Sequence, residues 1–234
     1  MTTTAAVAVV LAAGMGTRVG ADGNKAYLPL AGRPMAAWSL DTLTRVRVVD
    51  RIVFVYRPGE EQLARDMVAA EIPGVAVEFV AGGDSRHGSE LNVLRYLAAD
   101  IESGAVDVVL IHDAARPVAG PEMFERAVSV ARESGGAIPA LPMSGVLTAE
   151  LSAPAHPRLV RVQTPQAFQA APLLTAYRRA DVDGFEGTDT SSCVESFSDL
   201  AVQTFPGELR NLKVTFARDV AIAERLLGVS ADST

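Results

Sequence analysis

The run Leu11-Ala12-Ala13-Gly14-Met15-Gly16-Thr17-Arg18 follows directly on an apolar stretch, and Lys25 stands seven residues beyond Arg18. Glycine lets backbone N–H groups approach phosphate oxygens with no Cβ in the way, and it takes the positive-φ turns that such a loop needs. A guanidinium at position 18 can fork onto pyrophosphate oxygens. An ammonium at position 25 can place a point charge where a phosphorus centre gains negative charge in a transition state. The chemistry suited to these residues is displacement at a polyphosphate. Two common nucleotide motifs are excluded: Gly14-x-Gly16-x-x-x-Gly20 misses G-x-G-x-x-G by one residue, and no Gly-Lys-Ser/Thr ending makes a P-loop. The competing explanation is a strand-to-loop turn with two solvated cations. It leaves the pairing of Arg18 with Lys25 unexplained.

Such a loop needs a rigid strand behind it. Ala6 to Leu11 is a continuous apolar run rich in valine, which suits a strand buried on both faces of a parallel sheet. Pro34 opens a helical stretch through about Arg45, and Arg51 to Tyr56 reads as the second strand, with Pro58-Gly59 marking the turn after it. Helix near Glu60 to Ala70, strand near Val75 to Val80, helix across Gly88 to Asp100 and strand at Val108 to Ile111 continue the alternation. A further helix from about Pro121 to Glu133 and a strand at Ala137 to Leu141 complete this part. The order predicts an α/β fold, Rossmann-like, with a mostly parallel central sheet flanked by helices. Between Pro142 and Gln166 the chain carries four prolines and no helical period, so residues 142–163 are expected to form a protruding arm on a single domain spanning 1–234. Helix and strand signals return from Ala170 and end in a helix at Ala217 to Leu227.

Composition narrows the function classes. The net charge of −7 argues against a nucleic-acid surface, although a few cations in one cleft can still hold a triphosphate. No apolar run reaches the ~20 residues of a membrane helix, and the first residues lack a basic leader, so the expected location is the cytoplasm. A single cysteine, Cys193, and three scattered histidines, His87, His112 and His156, give neither a disulfide nor a metal-ligand spacing, and no residue is assigned as a metal ligand.

Five further strings stand at intervals along the chain: Gly82-Gly83-Asp84-Ser85-Arg86-x-x-Ser89, His112-Asp113-Ala114-Ala115-Arg116-Pro117, Thr164-Pro165-Gln166, Gly187-Thr188-Asp189 and Asn211-Leu212-Lys213-Val214-Thr215. Together with the first loop they resemble the 2-C-methyl-D-erythritol 4-phosphate cytidylyltransferases and the related ribitol-5-phosphate cytidylyltransferases over nearly the whole chain. The resemblance implies a nucleotidyltransferase fold and transfer of CMP from CTP to a polyol phosphate, with Mg²⁺ carried mainly on the CTP phosphates. It implies catalytic roles for Arg18, Lys25 and Lys213, the last orienting the incoming phosphate. Nucleotide binding falls to Ala12, Ala13, Gly14, Gly16, Gly83, Asp84, Ser89, Asp113 and Ala114. Acceptor binding falls to Asp113, Arg116, Arg158, Thr164 and Thr188. His112 reads better as a packed, hydrogen-bonded histidine.

The chain departs from the family on the acceptor side. Where the family's arm carries Pro-x-x-Asp-Thr-x-Lys, this chain has Gly145, Val146 and Thr148, and Glu90 replaces the customary valine after Ser89. The acceptor-orienting arginine is placed at Arg158, with His156 and Arg161 as rivals. Three readings therefore stay open: methylerythritol-phosphate cytidylyltransferase, an enzyme for another alditol phosphate, and a nucleotide-binding relative without turnover. The apolar arm residues Leu141, Val146, Leu147 and Leu151 predict a homodimer. All three readings require Lys213 to share one cleft with the amino-terminal cations.

Overall fold

The computed structural model describes residues 4–14, 23–144 and 159–228. Strand β1 (Ala5–Leu11) leads into the glycine-rich loop, and a 3₁₀ turn (Lys25–Tyr27) follows it. A short hairpin, β2 (Pro29–Leu30) and β3 (Arg33–Pro34), turns through Ala31 and Gly32, both at positive φ, as a two-residue hairpin loop requires. Then come α1 (Met35–Leu43), β4 (Arg51–Tyr56), α2 (Glu61–Glu71), β5 (Val77–Ala81), α3 (Arg86–Tyr96), α4 (Ala98–Glu102), β6 (Val106–Asp113), α5 (Pro121–Ser134) and β7 (Gly136–Pro142). Further along the chain lie β8 (Val160–Val162), β9 (Gln166–Gln169), α6 (Ala170–Val182), α7 (Thr190–Phe197), β10 (Val202–Pro206) and α8 (Ala217–Leu226).

The main sheet runs β10-β7-β9-β6-β1-β4-β5, with β8 paired to β7. β6, β1, β4 and β5 are parallel to one another, and β10 is parallel to β7; β9 enters antiparallel between β6 and β7. This is the mostly parallel nucleotidyltransferase sheet expected from the sequence. The antiparallel strand β9 went unseen because Gln166-Ala167-Phe168-Gln169 is only four residues long and sits behind a proline. The chain crosses from β5 back to β6, on the far side of β1. The carboxyl ends of β1 and β6 therefore flank the point where strand order reverses, the place where open α/β sheets bind ligands.

Alternation along β1 explains its unbroken apolar run: Ala6, Ala8 and Val10 join the core on one face of the sheet, and Val7 and Val9 the core on the other. Two helix limits differ from expectation. α3 starts at Arg86 rather than Gly88 because the Ser85 hydroxyl caps it, accepting from the Gly88 N–H at 3.0 Å. The helical run then breaks at buried Leu97, between α3 and α4. Lys25 lies in the 3₁₀ turn that leads into β2.

Candidate active site

A cleft of about 570 Å³ opens over the carboxyl ends of β1, β4, β5 and β6, within the range of small-molecule sites. Each strand delivers a loop to it: Ala12 to Gly14 after β1, Arg57 and Pro58 after β4, Gly83 to Arg86 after β5, and Asp113 to Ala115 at the end of β6. Asn24, Lys25, Ser89 and Lys213 complete the wall. Backbone hydrogen bonds continue the strand pairing into these loops: Ala12 N–H to Val55 O, Gly82 N–H to Tyr56 O and Ala114 N–H to Leu11 O.

Lys25 and Lys213 come from opposite ends of the chain, and their local contacts explain how they meet. Asn24 caps the 3₁₀ turn through its Oδ1, which accepts from the Ala26 N–H, while its Nδ2 donates to Ala12 O at 2.6 Å and to Glu60 Oε2. This ties Lys25 to the first loop. The segment before and after Lys213 is stitched to the β6 end: Val214 N–H donates to Ala115 O, Arg116 to Asn211 O, and Asn211 Nδ2 to Thr164 O. Asp219, at the start of α8, accepts from the N–H groups of Thr215 and Phe216 and fixes the exit. Lys25 Nζ then donates to Val214 O at 3.3 Å, joining the two ends across 189 positions of sequence.

Asp113 lies at the centre of the charges. Its Oδ2 is 2.7 Å from Lys213 Nζ and 3.8 Å from Arg116 Nε, and its Oδ1 is 3.2 Å from Arg86. Burial alone would push this carboxyl up, but Arg86, Lys213 and Arg116 together hold it well below the usual carboxylate range. His112 beneath it is fully buried, which lowers its pKa to about 4. The partners define its tautomer: Nε2 faces the Arg116 carbonyl and must carry the proton. Nδ1 therefore accepts from the Thr164 hydroxyl, whose oxygen in turn accepts the Asp113 N–H. His112 is a structural, neutral histidine, as its sequence setting suggested.

Among the expected site residues, Ala12, Ala13, Gly14, Lys25, Gly83, Asp84, Ser89, Asp113, Ala114 and Lys213 gather in the cleft wall. Ser89 is already doubly engaged, donating to Ser85 O and accepting from the Gly83 N–H, so its hydroxyl holds the loop in shape. Arg116 and Thr164 sit behind the wall rather than in it, and Thr188 is exposed and outside it. Gly16 and Arg18 in the first loop lie outside the described residues, as do Gly145, Val146, Leu147, Thr148, Leu151, His156 and Arg158 in the arm. Four polar or charged wall residues had no role in the sequence reading: Asn24, Arg57, Ser85 and Arg86. Asn24 carried a signal, since asparagine directly before a short helical turn is a favoured cap. Arg86 stood inside a quoted string, and nothing in the sequence marked Arg57.

A family model described as 2-C-methyl-D-erythritol 4-phosphate cytidylyltransferase matches residues 6–229. The chain is 37% identical to the protein of that name from Geobacter metallireducens, covering 95% of this chain and 97% of the relative, and 37% identical to that from Cereibacter sphaeroides, covering 96% and 97%. Among solved structures, 4-diphosphocytidyl-2C-methyl-D-erythritol synthase from Anaerococcus prevotii superposes with a TM-score of 0.81 at 27% identity, covering 96% of each chain. The Thermus thermophilus cytidylyltransferase gives 0.71 at 28%, covering 95% and 98%.

Proposed function

The chain belongs to the 2-C-methyl-D-erythritol 4-phosphate cytidylyltransferase family, and on that premise we propose how its cleft carries out the reaction. The enzyme transfers CMP from CTP to 2-C-methyl-D-erythritol 4-phosphate, giving the CDP-polyol and pyrophosphate, a step of isoprenoid precursor synthesis. A phosphate monoester has a second pKa near ~6, so the acceptor arrives largely as a dianion and needs no general base. One of its oxygens attacks the α-phosphorus in line. The new O–P bond forms as the bridge to the β-phosphate breaks, and the electron pair leaves on pyrophosphate. What remains for the protein is to bring two repelling anions together and to stabilise charge on the α-phosphate and the leaving group.

Lys25 and Lys213 supply that charge together with Arg18. The observation that carries this reading is the convergence of Lys25 and Lys213 on one cleft. Ala12, Ala13, Gly14 and Gly16 bring backbone to the nucleotide phosphates. Gly83 and Asp84 face the cytosine, with Ser89 holding their loop, and Asp113 with Ala114 meets the ribose. Asp113 also meets the acceptor, which Arg116, Arg158, Thr164 and Thr188 help to bind. CTP enters as its magnesium complex, in which the ion offsets part of the triphosphate charge. Asp113 in the cleft is already neutralised by cations, which suits an ion held mainly by phosphates and water. The reaction runs in the cytoplasm, the compartment that supplies CTP, and the arm joins two copies into a homodimer.

A second reading, transfer to another alditol phosphate such as ribitol 5-phosphate, draws on Gly145, Val146 and Thr148 in the arm. Pyrophosphate release from CTP against a panel of phosphorylated polyols in Mg²⁺ separates the possibilities. Release with methylerythritol phosphate supports the first reading and release only with another acceptor the second. CTP binding without release from any acceptor would overturn both.

A further inference from the structure

Glu90, on the second turn of α3, is 1% exposed, and a carboxylate taken that far from water must be met by donors. Three reach it. Arg86, one turn earlier, lies 2.5 Å from Oε1, the Thr190 hydroxyl donates to Oε1 at 2.7 Å, and the Tyr177 hydroxyl donates to Oε2. Tyr177 belongs to α6 and Thr190 opens α7, so three helices converge on this one side chain. Burial pushes the Glu90 carboxyl up, opposed chiefly by the Arg86 charge. Burial likewise opposes the charge on Arg86, but the carboxylates of Glu90 and Asp113 outweigh it and raise its pKa.

The guanidinium of Arg86 therefore spans two carboxylates, with NH1 on Glu90 and NH2 on Asp113. A planar fork does this with its donors pre-set toward both partners, which a flexible ammonium lacks. Arg86 also forms part of the cleft wall beside Gly83 and Asp84. Because Arg86 takes Oδ1 of Asp113, the other oxygen is left to Lys213. We propose that Glu90 and Arg86 are a positioning pair. Glu90, anchored by Tyr177 and Thr190, holds Arg86 in place, and Arg86 fixes the orientation of Asp113 toward the acceptor and keeps Lys213 on the opposite oxygen. The proposal rests on the reading that Asp113 meets the acceptor. Without the Glu90 charge, the Arg86 fork is drawn wholly to Asp113 and competes with Lys213 there. The backbone of the Gly83 loop does not depend on Arg86, since the Ser85 and Ser89 hydroxyls hold it.

The test uses the full-length enzyme with CTP and methylerythritol phosphate. Glu90→Gln keeps size and can accept from one of the two hydroxyls, Tyr177 or Thr190, while its amide NH2 donates to the other, but it loses the ion pair. It should raise the acceptor KM about tenfold while the CTP Kd shifts less than about threefold and the Tm is little changed. Arg86→Gln, at a partly exposed position, should show the same split and provides the readout if Glu90→Gln does not fold. The double variant should be no worse than the poorer single one, because both changes break one unit. An unchanged acceptor KM, additive losses, or a fall in CTP affinity and Tm alongside the rise in acceptor KM would overturn the pair as a positioning device. Absence of pyrophosphate release by the wild type with this acceptor would instead defeat the underlying reading of the site.

Discussion

A lysine can orient an incoming phosphate only if it can reach it, and Lys213 begins 2.7 Å from the Asp113 carboxylate with its side chain 40% exposed. Lys25 is set further back, bonded to the Val214 carbonyl. Lys25→Ala should therefore lower kcat by about 10²–10³, the cost of removing one preorganised charge at a transition state, while CTP still binds; near-normal turnover in a steady-state assay would remove Lys25 from the mechanism. Beneath these lysines His112 is held neutral, with its pKa near 4 instead of 6.5. A depressed folded-state pKa gives stability that is present above the unfolded value and is lost as pH falls through the folded one. From His112 that amounts to at most about 3 kcal/mol, lost between about pH 6.5 and 4, and depressed Asp113 adds a loss in the same direction at still lower pH. Urea unfolding of the wild type and His112→Gln across that window should show the steeper acid loss in the wild type. Parallel curves would mean that His112 titrates alike folded and unfolded.

Elements enter the site through their ends. The loop after β5 and the start of α3 press together so closely that a Cβ on Gly83 would stand 2.7 Å from the backbone carbon of Gly88, and neither main chain can yield without moving the loop. Gly83→Ala is expected to weaken CTP binding by tenfold or more, on the order of 1.4 kcal/mol, in calorimetric titration. Binding as tight as in the wild type would show that this loop does not approach the nucleotide. The same close fit shows why the string Gly82 to Ser89 could be noticed in the sequence while its internal bonding could not. The Ser89 hydroxyl, in the cleft wall, also ties its loop together, accepting from the Gly83 N–H and donating to Ser85 O. Helix limits moved by two residues for a similar reason, since a cap such as Ser85 decides where a helix starts only once its hydroxyl points at the Gly88 N–H.

At the scale of the whole molecule, β7 and β8 bracket the segment expected to form an arm, and the exposed apolar side chains Met143, Val160 and Val162 lie on either side of residues 145–158. A homodimer would cover them. Sedimentation at micromolar concentration should give about twice the chain mass, and a monomer there would count against the arm as an interface. Much of the architecture could be read without coordinates: valine-rich β1 with a glycine loop behind it, the βα alternation, and the strings around Gly83, Asp113 and Lys213. These are local patterns, governed by side-chain periodicity and turn chemistry, which neighbouring residues fix on their own. The antiparallel entry of β9, the placement of Arg116 and Thr164 behind the cleft wall, and the bridge from Glu90 through Arg86 to Asp113 were decided by the tertiary structure alone. A hydrogen bond or ion pair depends on the distance between atoms. For residues tens of positions apart, only the packing of the sheet and its helices sets that distance.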